Sequence, residues 1–303
     1  MFKSGFVAII GRPNSGKSTL INALVGKKVT ITSQHPNTTR NAIRAILTTE
    51  RFQAVLVDTP GIHKPKTSLG SELNAIAKES TDSVDVVIFT IAADEKVGKG
   101  DNFIARSIAD MRESKRFCVV TKIDTVGKDR VLQSLAEAAK LATENGFSWD
   151  EIIPISAIKG EQLWIIHDLI EKYLPEGPAY YPSETLVDLE AEARVAEAIR
   201  EATIVGTLEE LPHSIAVIVN EMQERSDDLL AIDATIFVER DSQKGIIVGK
   251  AGSNIKKIGT VARPAIEAIV GKRVYLSLTV SIAPKWQRDP KALRKFGIIR
   301  DTK

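Results

Sequence analysis

The sequence predicts two folded domains: an α/β domain whose mostly parallel sheet is wrapped by helices, then a smaller α+β domain. Three observations carry that reading. Through the first half, short β-rich apolar runs alternate with helical patterns, and each run precedes a polar or glycine-bearing loop. Pro175-Glu176-Gly177-Pro178-Ala179-Tyr180-Tyr181-Pro182 holds three prolines and a glycine, which exclude both helix and central strand. The 303 residues are 43% apolar, enough for about two domains of ~150 residues with a core each.

In chain order, the expected strands are Phe6 to Ile10, Ala54 to Val57, Val84 to Ile91, Phe117 to Val120 and Ile152 to Ile155. Ligands of open α/β sheets bind beyond the carboxyl ends of the strands, so the loops after these runs should converge on one site. A helix over Gln162 to Leu174 closes the first domain, residues 1–174, and residues 175–188 form the expected linker. The second domain, 189–283, reads as a helix from Leu189 to about Val205 and strands over Ser214 to Met222 and Leu230 to Glu239. A short strand Gly245 to Val248, two helices within about Ser253 to Ile269 and a strand Arg273 to Ser281 follow. Residues 284–303 read as a basic tail.

Composition narrows the function classes. No run approaches the ~18 apolar residues of a membrane span. Cys118 has no second cysteine to pair with, and Met1 to Gly5 lacks the apolar core of a secretory signal, so a reducing cytoplasm is expected. Charge is polarised: residues 244–303 carry fourteen Lys and Arg against three Asp and Glu, in a chain whose net charge is +2. That asymmetry points the carboxyl-terminal part at a polyanion, either nucleic acid or an anionic membrane surface. His35, His167 and His213 have no metal-ligand spacing with one another or with Cys118, so no transition-metal site is expected. His63 reads as a loop residue and Cys118 as a small core residue.

Chemistry concentrates after the first strand. Gly11-Arg12-Pro13-Asn14-Ser15-Gly16-Lys17-Ser18-Thr19 fits G-x-x-x-x-G-K-[ST] and opens a helix. Its glycines let successive N–H groups turn inward around phosphate, while the helix amino end adds positive dipole. Lys17 reaches the β and γ phosphates, and Ser18 supplies a hydroxyl to Mg²⁺. Asp58-Thr59-Pro60-Gly61, after the second strand, places a carboxylate for Mg²⁺ and an N–H that senses a γ-phosphate. Between them, in Asn37 to Arg40, Thr39 is preferred over Thr38 as a metal ligand engaged only in the triphosphate state.

Two later loops choose the base. Thr121-Lys122-Ile123-Asp124 ends the fourth strand, where Asp124 can accept from the guanine N1–H and 2-amino group, a donor pair that adenine lacks. Ser156-Ala157-Ile158-Lys159-Gly160 follows the fifth strand and offers backbone N–H to the guanine oxygen. In the second half, Gly249-Lys250-Ala251-Gly252 leads into a helix bearing Lys256 and Lys257. A GxxG loop lets backbone approach sugar-phosphate, and such loops clamp about four single-stranded nucleotides. Beyond the last strand, Lys285, Trp286, Arg288, Lys291, Arg294 and Lys295 suit phosphates and a stacked base.

This order of five nucleotide elements resembles the translation-factor class of small GTPases and, within it, the Era family, over nearly the whole chain. The family's G-x-P-N-x-G-K-S, T-T-R, DTPG, N-K-x-D, S-A-x-x-G and G-P-x-Y-Y-P read here as Gly11 to Ser18, Thr38-Thr39-Arg40, Asp58 to Gly61, Thr121 to Asp124, Ser156 to Gly160 and Gly177 to Pro182. The resemblance implies a P-loop NTPase fold followed by a type II KH domain. It implies a monomeric GTPase that uses GTP, GDP and Mg²⁺, binds the terminal segment of 16S ribosomal RNA rather than DNA, and acts in assembly of the 30S subunit. Peripheral association with the inner face of the cell membrane is implied too. Thr121 departs from the family's asparagine, which ties the base loop to the phosphate loop, so a weaker grip on nucleotide is expected while the guanine contact of Asp124 survives. Ile62 stands where many GTPases have a water-orienting glutamine. The resemblance therefore implies slow intrinsic turnover, with Asn14 helping to hold K⁺ beside the phosphates and with stimulation by K⁺ or by the RNA or ribosome partner. Two other readings stay open: a P-loop phosphotransferase for a small metabolite, against which Asp124 counts, and an RNA-binding assembly protein with a structural nucleotide.

Overall fold

Successive residues of β1 (Lys3–Gly11) serve two different cores. Val7 and Ile9 face one, Ala8 and Ile10 the other, and all four are buried, as a central strand covered on both faces requires. The computed structural model describes residues 1–31, 43–60, 67–79, 84–206 and 214–298. The chain divides into two units, with the main change at Asp188 and Leu189 and with residues Thr67–Glu72 also grouped in the second.

In the first unit, β1 is followed by α1 (Lys17–Val25), β2 (Ile43–Thr48), β3 (Phe52–Asp58), α2 (Ser68–Glu79), β4 (Val86–Ala92), α3 (Lys99–Ala109) and β5 (Lys115–Thr121). Next come α4 (Lys128–Glu144), β6 (Glu151–Pro154), α5 (Leu163–Tyr173) and the two-residue β7 (Val187–Asp188). The sheet order is β6-β5-β4-β1-β3-β2-β7, parallel from β6 to β3 and antiparallel at β2 and β7. Leu20, Ile21 and Leu24 of α1 join Ile166 and Ile170 of α5 over one face. Ile104, Ala105 and Ile108 of α3 join Ala138 and Leu141 of α4 over the other. The phosphate loop thus leaves the middle of the sheet, and the base loops leave β5 and β6 on one side of it.

Residues 175–188, expected as a linker, form an ordered arm of this unit. Gln53 is buried on β3, accepts from the N–H groups of Tyr180 and Tyr181 at 2.8 and 2.9 Å, and donates to Tyr181 O at 2.8 Å. Ser4 Oγ donates to Pro178 O, Phe6 packs on the Tyr180 ring, and Tyr181 Oη donates to Asp188. A proline-rich stretch that cannot form helix or central strand is instead held by single side chains along its length.

The second unit holds α6 (Ala191–Gly206), β8 (Ala216–Ser226), β9 (Leu229–Val238), α7 (Asp241–Val248), α8 (Ser253–Val270), β10 (Arg273–Ile282) and α9 (Pro290–Lys295). β9 lies between β8, antiparallel, and β10, parallel. Ile199, Ile215, Ile232, Ile236, Ile247, Ile258 and Ile266 build its core. Two expectations are corrected here. Gly245 to Val248, expected as a strand from its β-branched residues, is the last part of α7, because Gln243 Oε1 accepts from the N–H groups of Glu239 and Arg240 and starts a helix upstream. The two helices expected after Ser253 are one helix that runs through Pro264.

The expected basic tail is also built into this unit. Trp286 is 0% exposed; its indole N–H donates to Ser214 O at 3.0 Å, and its ring meets Phe296 edge-on at 5.1 Å. A base cannot stack on it, so its expected RNA contact is withdrawn: the aromatic residue is core, while Lys285 beside it is exposed. Trp286→Ala should therefore lower stability by about 3–5 kcal/mol, read as a lower thermal or urea midpoint for the second unit. An unchanged midpoint would contradict that packing.

Candidate functional site

The phosphate loop runs from the end of β1 at Gly11 to the start of α1 at Lys17. Gly16 is the N-cap of α1 in the left-handed region, φ 89°, and having no side chain it leaves the first-turn N–H groups to a ligand. A Cβ on Gly11 would collide with Thr90 Oγ1 of β4. Asn14 also adopts a left-handed conformation, φ 64°, in the turn between them. Arg12 turns away to pair with Glu95 at 2.6 Å and Asp101 at 3.2 Å. Ser15 is buried, and its hydroxyl shares a 2.6 Å hydrogen bond with Thr90 Oγ1.

Lys17 is buried, and Nζ donates to Arg12 O at 2.8 Å and Gly11 O at 3.2 Å. Burial pulls its pKa down to about 8, against the opposing pull of the Asp58 carboxylate. Asp58 ends β3, fully buried, and accepts from Ser18 Oγ at 2.8 Å. Thr59 Oγ1 donates to Ile9 O at 2.8 Å, which binds the segment after β3 to β1, and Pro60 is buried beside it. Two hard oxygen donors and an ammonium thus lie beside one another, a donor set that fits Mg²⁺ and a polyphosphate. Among the described residues no three His, Cys, Asp or Glu side chains come together as a metal site. Asn37, Thr38, Thr39, Arg40, Gly61, Ile62 and His63 lie outside the described residues, as do His35 and His213.

At the base loop, Thr121 ends β5, Lys122 is left-handed at φ 56°, and Ile123–Thr125 form a 3-10 turn carrying Asp124. Ser156 Oγ donates to Asp124 Oδ1 at 2.6 Å and accepts from Lys159 N–H at 3.1 Å, so the loops after β5 and β6 are joined by a single hydroxyl. Ile123 N–H donates to Ile155 O at 3.3 Å. Lys122 pairs with Asp94 at 3.1 Å, Ala157 is half-buried and Ile158 is exposed. The Asp124 carboxylate is therefore held in one orientation by Ser156. Thr121 Oγ1 donates to Ser15 O at 2.8 Å, so the tie between base loop and phosphate loop, expected to be weakened without asparagine, is made by a hydroxyl.

The residues that sequence reasoning missed are Thr90, which backs Gly11 and Ser15, and Glu95 and Asp101, which hold Arg12. Thr90 had a legible signal: it is the one polar residue in the seven-residue run of β4. Cys118 is buried in β5, with its thiol pKa pushed up by burial. His167 is half-buried against the Phe52 ring, and burial lowers its imidazole pKa.

In the second unit, Gly249, Ala251 and Gly252 have φ of 71°, 50° and 77° between α7 and α8. A Cβ on Gly249 would lie 2.7 Å from Asn254 Cβ, so this position admits only glycine. Lys250, Lys256 and Lys257 are exposed on this loop and the first turns of α8, where the helix amino end adds to their positive field. No helix among the described residues is long and apolar enough to cross a membrane.

Comparison with known proteins agrees with this geometry. The family profile described as 50S ribosome-binding GTPase matches residues 6–122, and the KH domain profile matches residues 210–287. The GTPase Era of Mycolicibacterium smegmatis is 50% identical over 299 residues, covering 98% of this chain and 99% of that one. That of Nocardioides sp. is 49% identical over 300 residues, covering 97% and 96%. Among solved structures, an Aquifex aeolicus Era variant bound to GDP and AlF4⁻ superposes with a TM-score of 0.92 at 39% identity, over 99% of this chain and 100% of that one. Era in complex with MgGDPNP and nucleotides 1506–1542 of 16S ribosomal RNA gives 0.93 at 39% identity, over the same shares. With a G-x-x-x-x-G-K-S loop after β1, an aspartate-bearing loop after β5 and a GxxG module in one chain, and near-full-length relatives at about half identity, the protein belongs to the GTPase Era family and is a GTPase with a KH domain.

Proposed function

We propose that this GTPase binds the terminal segment of 16S ribosomal RNA through its KH domain during assembly of the small ribosomal subunit, and that GTP hydrolysis changes how it holds that RNA. The observation that carries the reading is the GxxG loop: three left-handed residues bring backbone to the surface in the most basic stretch of the chain. The Era complex with a 16S fragment supports the choice of RNA. Ser18 and Asp58, with Thr39, would hold Mg²⁺, which when bound neutralises charge on the phosphate oxygens. Lys17 holds the polyphosphate, and the N–H groups at the start of α1 orient it. Ile62 cannot hydrogen-bond water, which supports slow turnover, with stimulation by K⁺ near Asn14 or by the RNA or 30S partner. The protein acts as a monomer in the cytoplasm, with peripheral contact at the cell membrane through its basic surface, and does not use DNA.

Crosslinking the whole protein to cellular RNA, with GDP and with a nonhydrolysable triphosphate, tests this. Recovery of the 16S terminus, with a yield that depends on the nucleotide, is the expected result; scattered RNA or nucleotide-independent recovery ends the reading. Lys250→Glu should weaken binding to that RNA about tenfold or more and flatten its salt dependence by about one unit of slope, because one phosphate contact becomes a repulsion.

A further inference from the structure

We infer that Arg130 and Glu137, paired on α4, are positioning residues for nucleotide retention, because they brace the loop after β4, whose adjacent carboxylates hold a cation from the phosphate loop and another from the base loop. The inference builds on the reading of those two loops as the nucleotide site. Between β4 and α3, Glu95 pairs with Arg12 Nη2 of the phosphate loop at 2.6 Å, and Asp94 with Lys122 Nζ of the base loop at 3.1 and 3.3 Å. A shift of this one loop therefore moves both.

The brace comes from α4. Arg130 and Glu137 stand seven residues apart on one face of that helix, both half-buried, and Arg130 Nη1 donates to Glu137 Oε1 at 2.9 Å. Arg130 Nε donates to Ala93 O at 3.0 Å and Nη2 donates to Glu95 O, while Glu137 Oε2 accepts from Val97 N–H at 3.3 Å. One ion pair thus holds the loop by its backbone at Ala93, Glu95 and Val97. The guanidinium fork reaches two carbonyls and a carboxylate at once, which a point charge such as lysine cannot do. Without it those carbonyls lose their donors, and the loop turns to regain them, carrying Asp94 from Lys122 and Glu95 from Arg12. Arg12 keeps Asp101 at 3.2 Å, so the base loop loosens more than the phosphate loop.

Arg130→Gln should release a fluorescent GDP about tenfold faster than the parent, the scale of one charge-assisted hydrogen bond, and should raise KM for GTP by more than it changes kcat. Arg130→Lys keeps the charge without the fork, and its release should lie within about twofold of Arg130→Gln. Asp94→Asn, an exposed position, should quicken release about threefold to fivefold. Adding it to Arg130→Gln should bring less than about a further twofold, because both changes break one chain of contacts. Release from Arg130→Gln at the parent rate would overturn the proposal. So would a return to the parent rate in Arg130→Lys, or effects of Arg130→Gln and Asp94→Asn that multiply in full. Asp124→Asn in the same assay reports the base loop itself: unchanged release there would overturn the nucleotide reading together with the brace, whereas fast release there beside a parental Arg130→Gln would overturn the brace alone.

Discussion

Replacing Asp124 by asparagine should weaken GDP and GTP binding about a thousandfold and make xanthosine nucleotides the better ligands. A carboxylate accepts from both the N1–H and the 2-amino group of guanine. Asparagine offers one acceptor and one donor, so the 2-amino group would face an amide N–H, and a buried polar mismatch of that kind is what separates substrates by large factors. Xanthine carries a carbonyl at that carbon and can accept from the amide. The change is well placed for a clean result, because Ser156 Oγ already fixes Oδ1 at 2.6 Å and can equally donate to an amide oxygen. Calorimetry with GDP and XDP, and hydrolysis assays with GTP and XTP, read the outcome. A variant that still prefers GDP would show that Asp124 is not the base-reading group.

The parts of this site legible in the sequence are those in which chemistry follows from a few consecutive residues. Gly11 to Ser18, Asp58 to Pro60 and Gly249 to Gly252 adopt conformations dictated by glycines and by the strand or helix they adjoin, so their spacing alone singled them out as candidates. The departure at Thr121 was legible as a change of residue but not as a consequence. Whether a hydroxyl can reach Ser15 O depends on how β5 sits beside the phosphate loop, which no local pattern encodes. Trp286 failed for a related reason. An aromatic residue among cations reads as a stacking platform until Ser214 and Phe296 are seen to enclose it.

At Gly245 to Val248 a β-branched run competed with a capping glutamine, and the cap prevailed because only Ile247 of that run needed burial. The antiparallel β2 escaped notice, since Ile43 to Thr48 follows a polar stretch and carries a charged residue at its second position, where Arg44 pairs with Asp188 of β7. A local cap decided the first of these elements and a distant strand partner the second.

The pH dependence of nucleotide binding should expose Lys17 directly. Burial holds its pKa near 8 in the nucleotide-free protein, and a bound polyphosphate must raise it, because anionic oxygens favour the ammonium. Below pH 8 the cation is already present and binding takes up no proton. As pH rises through 8 each binding event must also protonate Lys17, so affinity for GDP should fall about fivefold between pH 8 and pH 9 and about tenfold between pH 7 and pH 9. Folding has the opposite sign. With the folded pKa below the ordinary lysine value of 10.5, the unfolded chain binds more protons between about pH 8 and 10.5, so this group makes the nucleotide-free protein more stable as pH rises through that window. Lys17→Met removes both slopes and should cut hydrolysis about a hundredfold to a thousandfold, the scale of one lost charge-stabilising donor. Titrating GDP affinity at pH 7, 8 and 9, alongside thermal melts of parent and variant without nucleotide, separates the two effects. Affinity that stays flat in the parent, or a slope that persists in Lys17→Met, would place the titrating group elsewhere in the pocket.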